Sequence, residues 1–226
     1  METAQRVVKR SGWFARLPLG LVAVSMLLLV HNLVRKNLAH PAGIWRIELL
    51  DTQAAVAVVL ASAGAVLARA QYARTVRPAL GWSGRVAAGL APDGRLVWTC
   101  HVVNGSQDVA VVAGIDYRLA FTLAARSDGA PASTRWLSQE EVSAVLTARG
   151  LPAEGDFMLS LIAPGRPISV QGLMFVGWFT EKAMAEIENV FLRVQVVDRV
   201  GDTHERVMAL MKGAIRVPRT PDPPLF

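Results

Sequence analysis

Four histidines, one cysteine and 18 carboxylates are the groups in this 226-residue chain best suited to moving protons, attacking carbon or holding a metal. A nucleophilic triad would need His31, His40, His101 or His204 beside both a nucleophile and a carboxylate. Cys100 and His101 are adjacent, but neighbours on a strand point to opposite faces, which separates thiol from imidazole. Cys100 instead shares a face with Trp98 and reads as an inert, buried thiol. A single cysteine closes no internal disulfide, and no Cys/His cluster is present for structural zinc. Carboxylates do acid–base work in pairs only where a pocket separates their pKa values. Glu140/Glu141 read as part of a helix cap, and Glu154/Asp156 and Glu181/Glu186/Glu188 as solvated surface. The phosphate loops G-x-x-x-x-G-K-[ST] and G-x-G-x-x-G, the G-x-S-x-G elbow and H-E-x-x-H are all absent. Asn104-Gly105-Ser106 fits a glycosylation sequon but reads as a turn. No catalytic residue, cofactor or metal is expected, and the chain reads as a non-enzyme.

The elements around these residues fall into two kinds. Leu17 to Val34 is an 18-residue run without a charged side chain, and Gln53 to Ala68 is a second, extended by Leu49 and Leu50. A bilayer core about 30 Å thick needs about 20 helical residues. Arg16, Arg35, Lys36 and Arg69 bracket the runs, with Trp13, Phe14, Trp45 and Tyr72 near their ends, as at membrane interfaces. The competing reading of the runs is a pair of buried helices in a soluble protein. A cleaved signal is disfavoured by the length of the first run and by Pro41 after Ala39-His40. No Asp, Glu, Lys or Arg lies deep in either span, so no proton relay or ion path is visible. His31 and Asn32 read as interfacial polar residues.

Charge then sets orientation. Arg6, Lys9, Arg10 and Arg16 precede the first span, and Arg69, Arg74, Arg77 and Arg85 follow the second. Only Arg35, Lys36 and Arg46 lie between. The basic excess before and after the pair puts both termini in the cytoplasm of a bacterial inner membrane. It also explains the pI of about 10.2. Residues 1–95 hold 12 basic and 4 acidic residues, whereas residues 96–226 hold 12 and 14, which argues against nucleic acid as a partner. In the second span Ala57, Ala61, Gly64, Ala65 and Ala68 form a small-residue stripe for close helix packing. Its partner is the first span, around Gly20 and Ala23, or another protein.

From Gly84 onward apolar and polar residues alternate in short runs, the pattern of antiparallel strands. The clearest are 96–103, 115–123 and 190–197, with others at 85–90, 157–162, 168–178 and 203–211. Pro92-Asp93-Gly94, Asn104-Gly105-Ser106 and Arg199-Val200-Gly201-Asp202 supply turns. Ser138-Gln139-Glu140-Glu141 is a capping box opening one helix, which Gly150 ends, and 181–188 is a second helical turn. Leu173-Met174-Phe175-Val176-Gly177-Trp178-Phe179 is apolar throughout. It is either a central strand covered on both faces or an exposed interaction patch of Leu173, Met174, Phe175, Trp178 and Phe179.

The run Cys100-His101-Val102-Val103-Asn104-Gly105-Ser106, followed by Val109-Ala110-Val111-Val112 and Ile115, resembles the N-x-S turn of bacterial immunoglobulin-like sandwiches. Pro164-Gly165-Arg166-Pro167-Ile168 and Leu192-x-Val194-x-Val196-Val197-Asp198-x-x-Gly201 are similar to their closing strands. Such domains form the soluble part of uncharacterised small bacterial membrane proteins with an N-terminal two-helix transmembrane hairpin. The resemblance spans roughly 95–212, lacks the Cys…Trp…Cys framework of antibody domains and carries over no catalytic residue. The expected organisation is a basic tail (1–16), a first span (17–36), a short loop (37–48), a second span (49–69), a basic linker (70–83), an antiparallel β-sandwich (84–214) and a Pro-rich extended tail (215–226). The expected function is that of a membrane-anchored, non-enzymatic interaction module or accessory subunit. Its expected partners are the lipid bilayer and another membrane protein or a second copy of itself. The alternatives are an envelope-side binding domain of inverted topology, or an enzyme with an unrecognised site.

Overall fold

The computed structural model describes residues 2–37, 52–131 and 134–223, the side chains of 13–15, 35–37 and 52 excepted. The expected loop at 37–48 lies outside the described residues apart from the backbone of Asn37. So do positions 49–51 of the second span, and the side chains of Trp13, Phe14, Arg35, Lys36, Trp45 and Arg46. The chain divides into two compact units, one of residues 10–76 and one of residues 1–9 together with 77–226.

The first unit is a pair of packed helices, α1 (Gly12–Asn37) and α2 (Thr52–Thr75). Both are long and apolar enough to cross a membrane, over Arg16–Val34 and Gln53–Thr75, and only 11% of each span is buried within the protein. Their shared face follows a three-and-four spacing through Pro18, Val22, Ser25, Leu29 and Asn32 on α1 and Ala55, Val59, Ser62, Val66, Arg69 and Ala73 on α2, all buried or half-buried, with Leu28, His31, Ala54 and Ala63 half-buried beside them. That spacing is how two helices keep one seam in register. At its centre the Ser25 and Ser62 hydroxyls lie 3.1 Å apart, and each donates to the carbonyl one turn back, of Leu21 and Val58.

The second unit is mainly β. Its strands are β1 (Arg6–Lys9), β2 (Leu80–Ala87), β3 (Val97–Asn104), β4 (Ala110–Phe121), β5 (Phe157–Leu159), β6 (Pro167–Ile168), β7 (Leu173–Thr180), β8 (Ile187–Val197) and β9 (Thr203–Ala209). Three helices interrupt them: α3 (Leu123–Ser127), α4 (Gln139–Ala148) and α5 (Glu181–Glu186). The strands form two antiparallel sheets, ordered β1-β9-β8-β4-β6 and β2-β3-β7-β5. Alternation turns Val190, Leu192, Val194 and Val196 of β8 and Trp98, Cys100 and Val102 of β3 into one core, joined by Tyr117, Leu119 and Phe121.

The capping box forms: the Ser138 hydroxyl accepts from Glu141 N–H while the Glu141 carboxylate accepts from Ser138 N–H. Gly150, at φ +78°, takes the left-handed position after α4. Asn104 is fully buried rather than a modifiable surface residue. Its amide donates to the carbonyls of Asp108, Ile168 and Ser169, and its oxygen accepts from the backbone and hydroxyl of Ser106. It thereby ties the β3–β4 turn to the segment around β6.

Several boundaries differ from the sequence reading: α1 starts inside the expected tail at Gly12, α2 runs to Thr75 into the expected linker, and the expected strand 168–178 is broken between Ile168 and Leu173. Residues 6–9 are not a free basic tail: β1 pairs with β9, Arg6 facing Glu205, and their side chains form an ion pair at 2.6 Å. Arg6-Val7-Val8-Lys9 is too short to register as a strand by alternation, and its partner lies about 200 residues away. The β domain also resumes before Gly84, at Leu80. The helical pair is therefore an insertion between the first two strands of one β domain. Gln5 fastens the domain where that insertion leaves and returns: its side chain donates to Pro78 C=O (2.6 Å) and accepts from Leu80 N–H (3.0 Å).

Candidate functional site

The residues with chemical potential are placed apart. Cys100 is fully buried, its Sγ 3.6 Å from the Leu210 carbonyl that also takes the Trp98 indole N–H at 3.0 Å. Burial pushes the thiol pKa far up, so the thiolate needed for nucleophilic attack does not form near neutral pH. His101 sits half-buried on the outer face of its sheet, 5.4 Å from the Phe175 ring centroid. Burial and then the Arg85 charge lower its pKa and keep the ring neutral. Among the described residues no carboxylate hydrogen-bonds to His101, so nothing orients it as a base. His204 is buried and bonded to Asp198 at 2.8 Å, while the other Asp198 oxygen accepts from Val200 and Asp202 N–H. That pair closes the β8–β9 hairpin, a structural task. Among the described residues no three His, Cys, Asp or Glu side chains group closely enough to hold a metal.

Asp156 differs from its expected place on a solvated surface. It is only 3% exposed and accepts from Lys182 (2.7 Å), Arg95 (3.0 Å) and the Thr180 hydroxyl (3.3 Å). Burial alone would raise its pKa, but the bonds and charges of Lys182 and Arg95 outweigh it and hold the carboxyl below its usual range. Its partners lie 61 and 26 residues away, so sequence spacing carried no sign of the cluster. Glu186 likewise pairs with Arg149.

The apolar run is a central strand and not a surface patch. Met174, Trp178 and Phe179 are buried, Phe175 is half-buried, and only Leu173 is exposed, at 45%. β7 lies between β3 and β5, with the main core on one face. On the other, Ala91 and Val97 pack on Trp178, with Met158 and Phe175 around them. Burial on both faces is why polar alternation is missing there.

The small-residue stripe also lies elsewhere than between the two helices. Ala57, Ala61, Gly64, Ala65 and Ala68 are all exposed, as are Gly20 and Ala23. A methyl group built on Gly20 or Gly64 meets nothing within 4 Å. The buried positions of the seam, Ser25, Asn32, Ala55 and Ser62, all lie outside the stripe.

Two polar surfaces went unread in the sequence. On the outer face of the β1-containing sheet, Asp116 binds Arg193 at 2.7 Å, and the Arg118 and Arg193 guanidinium groups lie 5.0 and 4.7 Å from the Trp136 ring. The second is the outer edge of β2. The expected loose tail is pinned here: Asp222 N–H donates to Val86 C=O (3.0 Å), its carboxylate accepts Val86 N–H (2.8 Å), and Arg85 donates to Pro223 C=O (3.2 Å). At the other end of β2 the Gln5 side chain takes Leu80 N–H and Arg206 donates to Leu80 C=O.

No family model matches the chain, and no curated protein matches it.

Proposed function

We propose that this is a two-span bacterial inner-membrane protein whose β domain, an immunoglobulin-like sandwich on the cytoplasmic side, is a non-enzymatic interaction module or accessory subunit. The carrying observation is that the helical pair is inserted between two strands of one domain. A strand on each side of the insertion requires the chain to return to the side it left, which an even number of crossings does. Eight basic residues at and beyond the outer ends of the two helices, against three at and between their inner ends, favour the cytoplasm as that side. The order β2-β3-β7-β5 against β9-β8-β4 is that of strands A-B-E-D against G-F-C in constant-type immunoglobulin domains, which supports the sandwich reading. The scattered histidines, sealed cysteine and structurally engaged Asp156 and Asp198 favour binding over catalysis. Partners of this reading are the bilayer and another membrane protein or a second copy, and nucleic acid is not among them.

The test is fractionation of cells expressing the full chain, followed by native electrophoresis of the membrane fraction in mild detergent. The chain is expected to resist carbonate extraction and to migrate in a complex larger than itself. Recovery in the carbonate supernatant, or migration as a lone monomer at native expression, overturns the reading.

A further inference from the structure

We infer that the outer edge of β2 is a docking site for an extended peptide strand, and that segment 218–223 of this chain is its built-in competitor. The inference deepens the interaction-module reading and rests on it. In an antiparallel pair, alternate residues turn their N–H and C=O groups toward the neighbour or away from it. Val86 and Leu80 both turn theirs away from β3, toward Asp222 at one end and toward Gln5 and Arg206 at the other. β2 pairs with β3 without a register shift from Leu80↔Asn104 to Ala87↔Val97. Trp82 and Gly84 have the same parity, so their backbone groups also point outward, between the two clamps. Both residues are half-buried, not sealed. Exposed sheet edges of this kind add strands through main-chain hydrogen bonds.

The occupant is indicated by the segment already seated there. Asp222 makes one strand-like rung with Val86, and its carboxylate supplies the acceptor a true strand would place there with a carbonyl. Arg216 holds the start of the segment by donating to the Met184 carbonyl at 2.6 Å. The segment is a poor ladder partner because Pro218, Pro221 and Pro223 carry no N–H, and a further rung would need an N–H from residue 224, also a proline. A segment with free alternate amides can bond Trp82 and Gly84 as well as Val86, and so displaces it. The partner chemistry is therefore an extended, proline-free strand recognised through its backbone.

The full chain in detergent micelles tests this, with hydrogen exchange at the Val86 amide and binding of a fluorescent alternating threonine–valine heptapeptide as readouts. In Asp222→Ala, Val86 is expected to exchange roughly tenfold faster and the peptide to bind roughly tenfold tighter, as losing a charge-assisted bond implies. The same peptide N-methylated at alternate residues is expected not to bind. Equal Val86 exchange in both proteins, unchanged peptide affinity, or equal binding of the N-methylated peptide each overturns the inference. Should Asp222→Ala fail to fold, Asp222→Asn gives the same ordering with a smaller step. Loss of membrane partition with the Val86 latch intact would instead sink the parent reading alone.

Discussion

At the scale of single residues, buried polar groups do the fastening. Asn104 satisfies five bonds at one turn, Asp198 locks the β8–β9 hairpin through His204, and Asp156 gathers a lysine and an arginine from distant elements. Asp156 and Glu205 both titrate below their ordinary range. In each, burial pushes up and is outweighed by hydrogen bonds, from Lys182 and Arg95 in one and from Gln195 and Arg6 in the other. A carboxylate with a depressed native pKa stabilises the fold above its unfolded pKa, and the contribution is lost as pH falls through the native value. Thermal unfolding followed by tryptophan fluorescence is thus expected to show a midpoint that declines below about pH 4. Asp156→Asn is expected to lower the neutral-pH midpoint and flatten that decline. A parallel acid limb in the variant would refute the assignment. The lysine, arginine and glutamine partners of these groups are ordinary surface residue types. Their pairing was invisible in the sequence because it depends on elements brought together by the sheets.

At the scale of elements, strand periodicity was a good guide and surface character was not. Alternation in 96–103 and 190–197 located β3 and β8 to within a few residues, and the Ser138 box located the start of α4. The same logic left the 173–179 run open, because a strand covered twice and an exposed patch have the same composition. Phe179 is fully buried and Leu173 is not, so the two separate in a stability measurement. Phe179→Ala is expected to cost about 3–5 kcal/mol in denaturant unfolding, whereas Leu173→Ser stays within about 0.5 kcal/mol. Near-equal effects would restore the surface reading. The helix pair teaches the converse lesson. Alanine every fourth residue suggested a seam, but a seam repeats every seven residues, as the buried pairs Ser25 and Asn32, and Ala55 and Ser62, do.

At the scale of the whole chain, the insertion is the organising fact. Residues 2–9 and 77–223 close one domain around a gap of 67 intervening residues, 10–76. β1 covers the edge of β9, and Arg6 meets Glu205, which is only 5% exposed. Deleting residues 2–9 is therefore expected to leave β9 open and Glu205 without its arginine, giving a chain that aggregates on detergent exchange. Size-exclusion chromatography checks this, and a monodisperse deletion variant would show that β1 is dispensable.

Composition and periodicity determined two long apolar helices, a chain of short alternating strands, a capped helix and the turns between them, because each of these follows from neighbours within one or two turns of chain. Only the tertiary structure decided that residues 6–9 belong to the sheet, which face of each helix is shared, that Asp156 is buried and paired, and that Asp222 of the proline-rich segment is pinned to β2. Those outcomes depend on hydrogen bonds and ion pairs between residues tens to hundreds of positions apart, and no local pattern in a single sequence encodes which distant donor a given acceptor will meet.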